Sequence, residues 1–144
     1  VPNYWIYKRG TMEIERNISE VLQEHEEISV AYLYGSTAKG KTHKDSDIDI
    51  GLLLSRDFEP EALYTAKISR EIEETLNLDR EVDVRILNDG TITFQHQVLK
   101  HGRKIFTRDE EARIEFETDV YDRYLDYKPF FDRYNEIRRK RLLA

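Results

Sequence analysis

The chain has no cysteine and only one methionine among its 144 residues. Without thiols, neither a disulfide framework nor a thiolate metal site is possible. No apolar run approaches the roughly 20 residues that a membrane-crossing helix needs, and no signal-peptide pattern opens the sequence. There is no surplus of positive charge either. The net charge is −6 and the pI about 5.3, so long-range attraction to nucleic acid is not expected. Internal repeats, low-complexity tracts and flexible linkers are missing as well. These absences leave a soluble cytoplasmic protein of one domain (residues 1–144), long enough for one core but not for two. Charged residues make up 36% of it, which means a heavily solvated surface with room for ion-pair networks. The one methionine is Met12, so residues 1–11 are either an upstream appendage or the product of a start at valine. Tyr4, Trp5 and Tyr7 could pack on the body.

Chemistry concentrates between Gly35 and Asp49: a Gly35-Ser36 turn, ten intervening residues, then Asp47-x-Asp49. Ser29 to Tyr34, rich in β-branched and aromatic residues, reads as a strand before it; the apolar run to Leu54 reads as a strand after it. Side chains alternate along a strand, so Asp47 and Asp49 share one face and Ile48 and Ile50 the other. Two neighbouring carboxylates repel unless a cation lies between them. Mg2+ suits this ligation, with one or two carboxylates plus substrate phosphates. A glycine lets backbone approach phosphate closely, and amides opening a following helix donate to an anion. Lys39, Lys41 and Lys44 fall inside the loop as point charges for phosphate or as plain solvated lysines. Ser46 could hold the strand entry through a local side-chain bond.

Helical spacing of Ile14, Ile18, Val21 and Leu22 predicts an amphipathic helix over 12–24. Pro60 suits the first position of a second helix reaching about Leu76. Arg80 to Leu87 alternates strictly, as a third strand. Asp89-Gly90 is a turn, Thr91 caps a short helix to His101, and Gly102 ends it. Residues 103–107 form a last short strand. From Arg108 the chain again reads helical, with Pro129 expected to break or kink it. The predicted class is α+β: a small mixed β-sheet with helices packed on one face (core 12–107), plus a helical C-terminal arm over 108–144.

Asp83 lies between two valines of the third strand. A buried carboxylate there would be costly without a partner. If this strand pairs beside the second, Asp83 joins Asp47 and Asp49, completing a second metal site or taking a proton from an attacking hydroxyl. Alone it could equally be a solvated charge paired with Arg85. His25, His43, His96 and His101 lack zinc-ligand spacing. Seven aromatics crowd 116–134 on more than one helical face, a pattern found at partner interfaces.

Gly35-Ser36, Asp47-x-Asp49 and the later Asp83 together resemble the nucleotidyltransferase superfamily that includes DNA polymerase β and kanamycin nucleotidyltransferase. Within it, Gly-Ser-Thr-Ala-Lys-Gly and Ser-Asp-Ile-Asp-Ile resemble the minimal nucleotidyltransferases, the MNT proteins. The tail, with Asp109-Glu110-Glu111-Ala112-Arg113 and Tyr124 to Pro129, is similar to that of MNT antitoxins paired with HEPN-domain toxins. The resemblance implies transfer of AMP from ATP to a tyrosine of a HEPN RNase toxin, which silences it. Gly35 and Ser36 would then hold triphosphate, Asp47 and Asp49 would bind two Mg2+, and Asp83 would activate the acceptor hydroxyl. Lys39 stands where many relatives have arginine. Ser46, preceding the acids, belongs with the nucleotide-binding set. DNA is not expected as a partner except as operator bound by a complex. Two other readings stand beside this one: AMP transfer to a small molecule, and a non-catalytic antitoxin acting by steric masking.

Overall fold

The computed structural model describes residues 2–35 and 47–143, with side chains from Met12 onward. Among the described residues, four strands and four helices follow one another as α1 (Pro2–Gln23), β1 (Ile28–Tyr34), β2 (Ile48–Leu54), α2 (Tyr64–Thr75), β3 (Val82–Ile86), α3 (Ile92–His101), β4 (Arg103–Thr107) and α4 (Glu110–Leu143). The sheet order is β3-β2-β1-β4. β1 runs antiparallel to β2 and β4, whereas β2 and β3 are parallel and joined through α2. The sheet is therefore mixed and the class α+β, as the sequence pattern predicts.

Alternation sorts the strands into two faces. Ile48, Ile50, Leu52 and Leu54 of β2 join Val82 and Val84 of β3 under α1 and α2, where Ile18, Leu22, Ile68 and Ile72 meet them. In β1 the alternation slips. Ile28 belongs to this core, Val30 to the opposite face, and Ala31 and Leu33 again to the first. An irregular register between Ile28 and Val30 supplies the extra residue that reverses the parity.

Helices are not confined to that face. On the other side Val30, Tyr32, Leu53 and Leu87 pack with Val98 of α3, and with Phe94 and Phe116 at the margin. The Tyr32 hydroxyl donates to Glu117 Oε1 at 2.9 Å, and Arg113 holds Glu117 at 2.7 Å. Burial, reinforced by Glu117, pushes the Tyr32 hydroxyl far above the usual phenol range. Gln95 donates to Leu87 O and accepts from Arg123, which ties α3 to the residue after β3 and to α4.

Local signals set several boundaries. Thr91 Oγ1 accepts from Phe94 N and caps α3, as its sequence suggests. Gly102 ends that helix, and a Cβ there would lie 2.5 Å from Val98 O and 2.7 Å from Leu33 O. Asp109 Oδ1 accepts from Ala112 N at 3.0 Å and opens α4. Arg108 donates to Gln23 O and Ile28 O, taking up carbonyls where α1 ends and β1 begins.

Three expected boundaries differ. α1 begins at Pro2 instead of Met12, with proline at the first helical position, where its missing donor is harmless. α2 begins at Tyr64 and not at Pro60. Tyr64 N donates to Glu61 O and closes a turn ahead of the helix. Pro129 does not break α4, which runs unbroken for 34 residues. Proline deprives the carbonyl four residues earlier of its helical donor. Here that residue is Leu125, 64% exposed, and water can serve the carbonyl.

Candidate functional site

Register decides where the acids meet. Asp49 is paired with Asp83 across the parallel β2–β3 ladder and with Tyr34 across the antiparallel β1–β2 ladder. Tyr34, Asp49 and Asp83 therefore form one row across three strands, and directly opposed residues share a face. Asp47, exposed, stands just before β2. Gly35 follows β1 at the same end. Its φ is +80°, and a Cβ on it would come within 2.2 Å of Asp49 Oδ2. Only glycine can make that turn against that carboxylate.

The electrostatics are those of crowded anions. Partial burial raises the Asp49 carboxyl above its ordinary value, Asp83 and Asp47 push it further, and Arg85 pulls it back. The Tyr34 hydroxyl is pushed up to about 12, first by burial and then by Asp49 and Asp83, again opposed by Arg85. Among the described residues it is enclosed without a hydrogen-bond partner. Arg85 Nε lies 3.3 Å from Asp83 Oδ2, and its guanidinium sits 5.6 Å from the centre of the Phe94 ring. Phe94 in turn meets Tyr34 edge-on at 5.7 Å.

Of the residues singled out by sequence, Gly35, Asp47, Asp49 and Asp83 stand at this end of the sheet. Ser36, Lys39, Lys41, Lys44, Ser46 and His43 lie outside the described residues. Tyr34 and Phe94 were not singled out. Tyr34 could have been found from alternation, as the last β1 residue on the face of Asp49; nothing in the pattern marks Phe94 as other than a core aromatic. His96 is buried and stacked on Tyr124 at 3.4 Å between ring centres, at the joint of α3 and α4.

Among the described residues, no group of three or more His, Asp or Glu side chains could hold a metal ion by itself. The expected trio is thus not a preformed cage. Like charges hold one another apart, and Asp83 pairs with Arg85. The donor set still fits Mg2+, which binds through one or two carboxylates and completes its shell with water and phosphate oxygens. An ion there would offset the repulsion that raises Asp49. A cavity of about 750 Å3 opens at the far end of the strands, between Ser29, Leu54, Asn88 and the first turns of α4. It holds none of the four residues above. No helix among the described residues is long and apolar enough to cross a membrane.

Comparison with known proteins gives a family and a shared fold. Residues 16–111 match the Polymerase beta, Nucleotidyltransferase family. The protein adenylyltransferase MntA of Shewanella oneidensis is 24% identical over 101 residues, 69% of this chain and 70% of that protein. A solved toxin–antitoxin with AMP-PNP superposes with a TM-score of 0.71 at 21% identity, over 90% of this chain and 98% of that one. The MNT antitoxin solved with a tri-AMPylated Shewanella oneidensis HEPN toxin gives 0.67 at 18% identity, over 93% and 99%. At these identities the solved structures share the fold.

Proposed function

The chain belongs to the polymerase β nucleotidyltransferase family, and from that premise we propose that it transfers AMP from ATP to a tyrosine of a HEPN-type RNase toxin in the cytoplasm and thereby silences it. The observation that carries the reading is the row of Asp49 and Asp83 in register, with Asp47 at the mouth of β2 and the glycine turn beside them. Asp47, Asp49 and Asp83 would together hold two Mg2+ ions, with Asp83 at the second. When bound, these ions neutralise the triphosphate and steady the pyrophosphate leaving group.

The remaining work falls to the chain. Gly35 and Ser36, with Lys39 and Ser46, hold the triphosphate against the end of β1. Asp83 faces the acceptor and takes the proton of its hydroxyl. The acceptor oxygen bonds to the α-phosphorus, the bond from that phosphorus to the bridging oxygen of the β-phosphate breaks, and pyrophosphate departs with the electron pair. The half of α4 beyond Tyr124 serves as the partner-binding arm. Tyr127, Phe130 and Tyr134 are 51%, 71% and 65% exposed there, and exposed apolar clusters of this kind mark interaction surfaces. The relatives support the acceptor class, because the similar MNT antitoxin was solved with an AMPylated HEPN toxin.

Intact-mass measurement of the partner toxin after incubation with this protein, ATP and Mg2+ tests the reading. Gains in steps of one adenylate unit are expected. An unmodified toxin that is nonetheless inhibited would replace transfer with steric masking, as would full neutralisation by Asp47→Asn/Asp49→Asn at equal stoichiometry. Truncation at Lys128 is expected to weaken the complex; unchanged binding would remove α4 from the interface.

A further inference from the structure

Among the described residues, Arg85 is a cation that faces the acidic row. It lies two residues beyond Asp83 on the same face of β3, and its Nε is 3.3 Å from Asp83 Oδ2. The guanidinium is not left to wander. It rests over the Phe94 ring at 5.6 Å, a favourable seat for a planar cation. Phe94 is itself held, its backbone by the Thr91 cap and its ring edge-on to Tyr34. Both partners of the ion pair remain about half exposed, 59% for Arg85 and 45% for Asp83. An exposed pair of this kind adds little to stability. Its effect is felt by the charges around it.

We propose that Arg85 is a positioning residue acting as an internal counter-cation: it pairs with Asp83, weakens the hold of the acids on a bare divalent ion, and yields Asp83 to the ion that arrives with triphosphate. This rests on reading Asp47, Asp49 and Asp83 as the ion-holding set. The asymmetry follows from the sign of the charges. A free divalent cation meets a site already part-neutralised and is repelled by the guanidinium. A metal–nucleoside triphosphate complex carries net negative charge, so the same guanidinium attracts it. Arg85 therefore disfavours metal alone without disfavouring metal plus nucleotide, and the ion enters with its substrate. Phe94 provides the guanidinium with a place to remain once Asp83 has been given up.

Binding of Mn2+, read from the free-ion paramagnetic resonance signal with and without AMP-PNP at low salt, separates the possibilities. Arg85→Met is expected to bind Mn2+ alone about two- to fivefold more tightly, the scale of one exposed charge interaction, and to bind it no more tightly when AMP-PNP is present. Arg85→Gln should repeat this result with a polar side chain, and Arg85→Lys should move the affinity for Mn2+ alone back toward wild type, since it keeps the charge but not the planar fit to Phe94. Melting temperatures of the variants confirm that each stays folded. Asp49→Asn is the control. If it abolishes Mn2+ binding while both neutral Arg85 variants leave the affinity for Mn2+ alone unchanged, the counter-cation role is overturned and the metal site stands. If Asp49→Asn leaves Mn2+ binding intact, the acids are not ligands and both readings fall.

Discussion

Beneath α1 and α2 the central strands present Ile48, Ile50, Leu52, Val82 and Val84, all buried. On the opposite face the same strands present Asp49, Gly51 and Leu53, and Asp83, Arg85 and Leu87. The first face is apolar and buried along its length. The second changes character along its length: Leu53 and Leu87 lie under α3 and α4, while Asp49 and Asp83 are only half covered. Apolar side chains can be sealed from water at a gain, but clustered carboxylates cannot lose their water without a cation to replace it. One pair of strands thus supports the core on one side and leaves an anionic patch on the other, and the boundary is set by where the helices stop.

Substitutions at neighbouring positions should break that division cleanly. Asp49→Asn is expected to lower adenylate transfer by about a thousandfold, the loss of several kcal/mol of transition-state stabilisation. The same change should raise the melting temperature at neutral pH, because Asp49 is held charged among like charges. A labelled-ATP transfer assay and a thermal scan on one preparation check both halves. Ile50→Ala, one residue further on, should do the reverse. It is expected to destabilise the fold by about 3 kcal/mol through transfer and cavity terms, visible as a lower urea midpoint, with the rate per folded molecule largely kept.

The smallest effect is in pH. The Asp49 carboxyl is raised on folding, so between its unfolded and folded values the native chain binds more proton than the unfolded one. Its contribution to stability is therefore greatest at low pH and declines as pH rises through that window. The melting-temperature gap between Asp49→Asn and the unsubstituted chain should widen from pH 4 to pH 7. An unchanged gap would mean that Asp49 is not strained by its neighbours.

Much of this arrangement was legible residue by residue. Alternation in Ile48–Leu54 and Val82–Ile86 already assigned faces, and Thr91 and Gly102 bracketed α3 at its observed ends. Punctuation by proline misled. Pro60 precedes α2 by four residues, and Pro129 sits within an unbroken α4. Proline reports on its own torsion and missing donor, and whether neighbours or water compensate depends on exposure. The second layer of helices was not legible either, because the apolar residues of α3 and the start of α4 do not say which face of the sheet they cover.

What the chain's own order of residues determined is the chemistry on offer: carboxylates two apart at the start of a strand, a glycine turn ahead of them, and a third acid between valines. These are local matters, governed by the period of the backbone and by side chains a few residues apart. Only the tertiary structure decided that Asp83 faces Asp49 across a parallel ladder, that Arg85 reaches the Phe94 ring, and that Tyr34 closes the row. Each of those depends on strand register and helix placement, which are set by packing between segments far apart in the chain.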